Sequence, residues 1–412
     1  MLNKNKEREL AYVVIIDAVT SIPGYDRVEL AHVGGWTIVV GKGEFHAGDP
    51  AIYFAIDSKL PEIEPFTNIE FLAKKGYKVK TQKMCKSISQ GLLISAASFG
   101  WTIEEDEITE GLKYLYNPNT GSCMFPDDET RFLTKELNVT YAVPEDNTRK
   151  ANSVDKYKKM AQRNGKLFSH QPFRWLMKRA WGRKLLFAFF GRKRDKKSGW
   201  PAWVTKTDEE RIQNMPWILN DKEPWIATEK IDGTSTTFTL KRGKWPAKEE
   251  FYICSRNVVF DKPDKKCFYE TNVYTEMAEK YHIYDIMKKL LETKFTDCEW
   301  ITIQGETYGP GIQKRDYHVS EHEFMAFNFI TSKDGRWGTE AMHMLLDHLG
   351  IPCVPIIETD FILPDTVEEL LAFATDESVL DDDMREGIVF RSKDGSKSFK
   401  AVSNEFLMKY HQ

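Results

Sequence analysis

One pattern recurs through the first 140 residues: a short β-branched or aromatic run, then glycine or proline. The run Tyr12-Val13-Val14-Ile15-Ile16-Asp17-Ala18-Val19 ends at Pro23-Gly24, and Trp36-Thr37-Ile38-Val39-Val40 ends at Gly41. Gly48-Asp49 precedes Ala51-Ile52-Tyr53-Phe54-Ala55-Ile56, and Tyr77–Thr81 and Gly91–Ile94 follow. Runs this short, with turn residues at roughly 8–12-residue spacing, confine the segment to a small all-β barrel or sandwich. An OB-type barrel fits the size, although pattern alone does not separate it from other small barrels.

The rest of the chain reads differently. Residues 141–200 are basic and aromatic: positions 174, 178, 179, 183, 184, 192, 193, 194, 196 and 197 are all Lys or Arg, interleaved with Phe173, Trp175, Trp181, Phe187, Phe189 and Phe190. That composition fits a connecting helix packed on a domain, a phosphate-tracking surface, or a membrane-surface helix, for which Leu185–Phe190 is short. Residues 201–412 mix α and β. Thr207 with Glu210 forms a capping-box pattern and predicts a helix start at 207–211. Apolar residues at Val273, Met277, Tyr281, Tyr284, Met287 and Leu291 follow a helical period. Candidate strands are Ser235–Leu240, Phe251–Cys254, Trp300–Ile303, Phe324–Ile330, Gly387–Arg391 and Ser398–Val402. The expected fold class is therefore α+β. Its expected domains are 1–140, 141–200 and 201–412, in keeping with 412 residues at roughly 100–200 per domain.

Composition closes off several function classes. An apolar fraction of 41% is enough to build cores, and no run approaches the roughly 20 apolar residues of a membrane span. The charged start Met1–Arg8 has no apolar signal core behind it. Six scattered cysteines, with no C-x-x-C pair, exclude a zinc ribbon, a redox dithiol and a disulfide scaffold. The expectation is a protein of the cytoplasm or another reducing compartment, with no membrane and no obligate protein partner evident.

The sharpest local signal is Glu229-Lys230-Ile231-Asp232-Gly233-Thr234-Ser235. Alone, a Lys two residues before Asp-Gly reads equally as a hairpin corner. It is followed in order by Ser255-Arg256-Asn257, Gly305-Glu306-Thr307-Tyr308-Gly309, Phe324–Ile330, Glu386-Gly387-Ile388-Val389-Phe390-Arg391 and Ser398-Phe399-Lys400-Ala401-Val402. This series resembles the ordered motifs of the covalent nucleotidyltransferases, the nucleic-acid ligases and mRNA capping enzymes. With the Lys206–Asn214 segment and the β-rich start, nearly the whole chain resembles the ATP-dependent RNA ligases that place an OB domain first (RNA ligase family five).

The resemblance implies a nucleotidyltransferase domain of antiparallel sheets flanked by helices, preceded by an OB-type barrel that grips RNA. It implies ATP and Mg²⁺ or Mn²⁺ as cofactors, RNA ends or nicked duplexes as partner, and sealing of 3′-OH and 5′-phosphate ends. Lys230 is the expected nucleophile. The ATP- or AMP-binding set is Glu229, Lys230, Asp232, Gly233, Arg256, Glu306, Phe327, Glu386 and Lys400, with Asp232, Glu306 and Glu386 holding metal through water. Phe327 reads as an adenine-stacking face or as ordinary core. A lysine with an ordinary pKa of about 10.4 needs neighbouring positive charge to become a neutral amine, here expected from the metal, Arg256 and Lys400.

Two details depart from the family pattern or qualify it. Related ligases often carry a second lysine two residues after the first in the last motif. Here Lys400 is followed by Ala401-Val402, which leaves Lys397 as the candidate substitute. Register also matters. An even hairpin would set Val389 against Lys400 and turn Glu386 to the opposite face, so joint action of Glu386 and Lys400 predicts an odd loop or a bulge. Rivals are a DNA ligase or capping enzyme and a non-catalytic OB-containing RNA-binding protein. The dozen residues after Lys400 leave no room for the C-terminal OB domain of the first two, no nicotinamide domain is visible, and the intact Lys-Asp-Glu-Glu-Lys series argues against decay.

Overall fold

The structure is a computed structural model and describes residues 1–106, 109, 111–142, 170, 173, 175, 176, 179, 186, 200–206, 208–243, 248–260 and 272–410. By contacts the chain divides into two compact units, Met1–Ala142 with Trp200–Gln412, and Val143–Gly199. Most of the basic stretch 173–197 lies outside the described residues. Within it, the Arg179 guanidinium sits 3.5 Å from the Trp175 ring centroid.

The N-terminal part of the first unit is nearly all β. Pro50–Phe54 is buried along its whole length because it is the middle strand between Ala11–Ile15 and Leu92–Ile94. A second sheet runs Ala18–Ile22, Tyr25–Val33, Trp36–Gly41, and in its last strand Trp36, Ile38 and Val40 alternate inward, as period two requires. Tyr12, Trp36, Tyr53, Phe54 and Phe66 fill the core between these sheets. Among the described residues, pairing is divided over small sheets and does not run as one closed barrel. The run Tyr12–Val19 is two strands, split at Ile16-Asp17, where the Asp17 carboxylate accepts from Gly34 N at 2.5 Å. Tyr77–Thr81 contributes only a bridge at Lys78. The strands there are Gln82–Met84 and Ser87–Ser89, turned at Cys85-Lys86, both with positive φ. Non-glycine residues in that conformation carry no turn signature, so the hairpin was not legible from sequence.

The C-terminal part holds two antiparallel sheets. Six strands run in the order Val259–Phe260, Glu250–Ser255, Thr234–Lys241, Trp300–Tyr308, Glu323–Thr331, Gly335–Arg336. Helices Val273–Lys280, Ile283–Thr293 and Thr339–His348 join this sheet's core through Met277, Met287, Leu291, Met342 and Leu346. The single helical period read from Val273 onward is two helices, because His282 takes a left-handed φ of 49° between them. Four strands run Ile356–Phe361, Trp225–Lys230, Gly387–Ser392, Ser398–Val402, and Leu370 of helix Val367–Ala374 shares their core with Trp225, Phe390 and Phe399.

The helix expected at 207–211 is not there. Thr207 lies outside the described residues, and Asp208–Glu210 has no helical hydrogen bonding. Glu210 O instead accepts Lys400 N at 2.8 Å and Arg211 bridges Lys400 in parallel, so sheet pairing overrides the cap pattern. A 3₁₀ turn follows at Ile212–Asn214. This turn also meets the N-terminal part: Asn214 O accepts Leu2 N at 2.8 Å, and Gln213 Nε2 donates to Gly35 O at 3.4 Å. Among the described residues, no helix is long and apolar enough to cross a membrane.

Candidate active site

The strand Trp225–Lys230 of one sheet leads through Ile231-Asp232-Gly233 into the strand Thr234–Lys241 of the other. That crossing forms the floor of a cavity of about 350 Å³, large enough for a nucleotide and lined from both sheets. All nine expected nucleotide-binding residues line it: Glu229, Lys230, Asp232, Gly233, Arg256, Glu306, Phe327, Glu386 and Lys400. Gly233 is required by a close approach, since a Cβ there would lie 2.3 Å from Thr307 O. Gly233→Ala is expected to cost about 1–3 kcal/mol through backbone displacement, read as a lower denaturation midpoint, together with lost activity.

At the centre, Lys230 Nζ donates to Glu386 Oε2 at 2.7 Å. Burial lowers the Lys230 pKa, but Glu386, Glu306 and Asp232 outweigh it, and the net shift is upward. The expected depression rests on a bound metal together with Arg256 and Lys400. Three carboxylates surround the amine, while Arg256, also on the cavity wall, is held in a half-exposed ion pair with Asp208. The acids absorb the strain instead. Burial and the Glu386 charge push Asp232 up to about 7, and burial, opposed by Lys230, pushes Glu306 up to about 8. Lys400 is lowered to about 8 by burial and by the charges of Lys230 and Arg211.

The hairpin register is even, with Val389 opposite Lys400, contrary to the odd loop or bulge expected. Glu386 and Lys400 nonetheless line the same cavity. Alternation would fix the face of Glu386 only if the strand extended through it, but the strand begins at Gly387. A Cβ at Gly387 would lie 2.1 Å from Ala401 O, so only glycine lets the chain pass there. Glu386 precedes the strand and is free of its pleat. Lys397, the candidate for the missing second lysine, lies outside the cavity lining, with its Nζ 2.6 Å from Asp221 Oδ2. Lys397→Ala should leave catalytic activity within about twofold, since its solvent-screened pair with Asp221 stands away from the cavity. Lys400→Ala should lower it by at least about a hundredfold, as for loss of one preorganised phosphate donor; parallel kinetics of the two variants check this.

Two expected residues are placed in unforeseen ways. The Glu229 carboxylate is buried and accepts from Ser378 Oγ at 2.5 Å and Val379 N at 2.8 Å, so its oxygens are already engaged. Phe327 is the extra residue of a bulge: Gln304 pairs with Asn328 and Gly305 with Ala326, leaving Phe327 between them. The bulge lets Phe324 and Phe329 fill the core while Phe327 turns half-buried into the cavity.

Sequence reasoning missed Arg391 and Glu209. Arg391 is buried with its guanidinium 5.9 Å from the Phe327 centroid, donating to Glu209 Oε1 at 3.2 Å. Glu209 also accepts from Ser398 Oγ at 2.5 Å and Arg336 Nη1 at 3.4 Å. The available signal was period two: Arg391 lies two residues beyond Val389 on the strand face that meets Lys400.

An all-oxygen donor set suits Mg²⁺ or Mn²⁺ over softer ions. Asp232 and Glu306, held above the usual carboxylate range by burial and by the neighbouring carboxylates, fit such an ion. The three carboxylates do not converge within 4.8 Å of one another, among the described residues, which fits an ion that keeps its water.

Residues 223–411 match the model of the RNA ligase family, and residues 10–96 match that of the PHA02142 OB-fold domain. Among solved structures, the chain is similar to Naegleria gruberi RNA ligase with PPi, at 24% identity and a TM-score of 0.60, covering 98% of this chain and 99% of that one. It is similar to a mutant of the same ligase with ATP and Mn at 24% identity and a TM-score of 0.62, covering 98% and 100%. A further mutant with AMP and Mn matches at 24% identity and a TM-score of 0.61, covering 98% and 99%. At this identity the likeness establishes the fold. No curated protein sequence gives a significant match.

Proposed function

We propose that this chain, whose residues 223–411 belong to the RNA ligase family, is an ATP-dependent RNA ligase joining 3′-OH and 5′-phosphate ends through lysyl-AMP and RNA-adenylate. The observation that carries the reading is the Lys230 amine, held 2.7 Å from Glu386 in a nucleotide-sized cavity with Asp232, Glu306, Arg256 and Lys400 around it. The solved Naegleria relatives that contain ATP, AMP, PPi or Mn support ATP and a divalent ion as its cofactors.

In the first step the Lys230 Nζ lone pair forms a bond to the α-phosphorus of ATP, the bond to the bridging oxygen breaks, and pyrophosphate leaves. A 5′-phosphate oxygen of RNA then attacks the same phosphorus and Lys230 departs. Last, a 3′-oxygen attacks the activated 5′-phosphate and AMP leaves. These are phosphoryl-type transfers, so the protein mainly positions groups and neutralises charge. Lys400 and Arg256 supply cations to phosphate oxygens, the latter once released from Asp208. Phe327 offers a ring face to the base, backed by Arg391. A divalent ion held through water by Asp232, Glu306 and Glu386 would neutralise phosphate charge and relieve the acids' hold on the Lys230 proton.

The OB-fold region suits a strand-gripping role, and we place RNA on the 3′-OH side of a nick. The test is sealing of a nicked duplex with ATP and Mg²⁺ or Mn²⁺. RNA at the 3′-OH side should seal at least about tenfold faster than an all-DNA nick, a difference of about 1.4 kcal/mol in barrier. Equal sealing of the all-DNA nick would favour a DNA ligase, and no sealing of any end the non-catalytic binder.

A further inference from the structure

We propose that His343, Asp347 and Cys353 form a zinc-type site, separate from the carboxylates of the nucleotide cavity. Among the described residues, this is the one set of three His, Cys, Asp or Glu side chains whose ligand atoms all lie within 4.8 Å of one another. His343 and Asp347 are one turn apart on helix Thr339–His348, so they share a face, with Nδ1 3.9 Å from Oδ2. The helix ends before Gly350, whose φ of 74° turns the chain back through Ile351-Pro352 and brings Cys353 under that face.

The donor chemistry selects the ion. Thiolate, imidazole and carboxylate together suit Zn²⁺, whereas Mg²⁺ and Mn²⁺ take the all-oxygen set of the cavity. Tetrahedral zinc with ligands at about 2.0–2.3 Å spaces its donors by roughly 3.3–3.8 Å, so no donor pair has to close by more than roughly 1.5 Å. Three protein ligands leave the fourth position to water. Asp347 is largely exposed and gives the ion a path in, while Cys353 is half-buried and free of any disulfide, its thiol facing the Asp347 carboxylate and 3.8 Å from Ile351 O. The His343 Nε2 is closed off from solvent and has no hydrogen-bond partner.

The site has a mechanical connection to the nucleotide cavity. Cys353 forms a parallel bridge with Ala326, flanked by Ala326 N donating to Pro352 O at 2.7 Å and Val354 N donating to Ala326 O at 3.0 Å. Val354 and Phe327, the next residue along each strand, both line the cavity. An ion tying helix Thr339–His348 to Cys353 therefore braces that wall.

Cobalt(II) titration of the full-length, metal-stripped protein tests the site, because a cobalt–thiolate bond gives a near-ultraviolet charge-transfer band that carboxylate-bound cobalt does not. One equivalent of band is expected, displaced by Zn²⁺, unchanged in Lys230→Ala and lost in Cys353→Ser. Asp347→Asn, at an exposed position that should not disturb folding, is expected to weaken cobalt affinity at least about tenfold while leaving the melting curve of the metal-free protein unchanged. No thiolate band in the native protein, or a band that persists in Cys353→Ser, overturns the proposal, as does an affinity unaltered in Asp347→Asn. These readouts are independent of ligase activity.

Discussion

Glu386→Ala should lower AMP transfer to the enzyme by about a thousandfold or more, the scale of losing a preorganised electrostatic group that also orients the nucleophile. The opposite outcome has a clear physical route, which makes the variant informative. Glu386 is the strongest influence raising the Lys230 pKa, through its charge and the hydrogen bond it accepts from the amine. If it served only to hold the lysine protonated, removing it would release a neutral nucleophile and speed the first step near pH 7. In our account the same carboxylate places Nζ 2.7 Å away and joins Asp232 and Glu306 around the metal, so the gain in neutral amine is outweighed. Glu386→Gln separates the two contributions, since it keeps a hydrogen-bond acceptor and removes the charge. The rate of enzyme adenylylation, measured before any RNA is added, is the readout.

Glu306→Gln should make the metal-free protein more stable at pH 7.5 while destroying activity. The sign follows from linkage. A carboxyl whose folded pKa is raised binds more protons folded than unfolded, so its contribution is most favourable at low pH and is lost as pH rises towards the folded value. Asp232 at about 7 and Glu306 at about 8 place that loss between about pH 5 and 7.5, starting above their ordinary values of 3.8 and 4.5. Lys400, lowered to about 8, works the other way, but only from about pH 8 upward, where its folded form has lost the proton that the unfolded chain keeps. Without metal, the melting temperature should therefore fall from pH 5 to 7.5. The slope should be shallower in Glu306→Gln, and its melting temperature at pH 7.5 higher by at least about 2 °C. Mg²⁺ or Mn²⁺ should restore the native protein and not the variant. Stability given up for function at one cluster of groups is the usual pattern of an active site.

The site was more legible than the fold around it. The ordered motifs led to nine of the residues that line the cavity, eight through polar, charged or aromatic side chains and Gly233 through its place after Asp232, and they passed over Glu209 and Arg391. What they could not convey was geometry set by backbone. Phe327 reaches the cavity only because one extra residue bulges the strand, and a bulge has no fixed composition. Glu386 escapes the strand alternation because Gly387 lies against Ala401 O, a packing fact invisible to a register argument. The capping pattern at Thr207 and Glu210 lost to pairing between Glu210 and Lys400, a tertiary contact spanning most of the domain. The surroundings of Lys230 were half legible for the same reason: the sequence named Arg256 and Lys400 as cations, but not that three acids would close on the amine while Arg256 paired with Asp208. In the N-terminal part, strands bounded by glycine or proline were found, whereas the Cys85-Lys86 turn, built without either, was not.

The central claim is that Lys230 carries AMP. The most direct measurement is incubation of the purified protein with ATP labelled at the α-phosphate and a divalent ion, followed by denaturation and peptide mapping by mass spectrometry. We expect one AMP per chain, bound through an acid-labile phosphoramide on the peptide containing Lys230, and none in Lys230→Ala. A well-folded protein that takes up no label with Mg²⁺ or Mn²⁺, or label that persists on another residue in Lys230→Ala, would contradict the account.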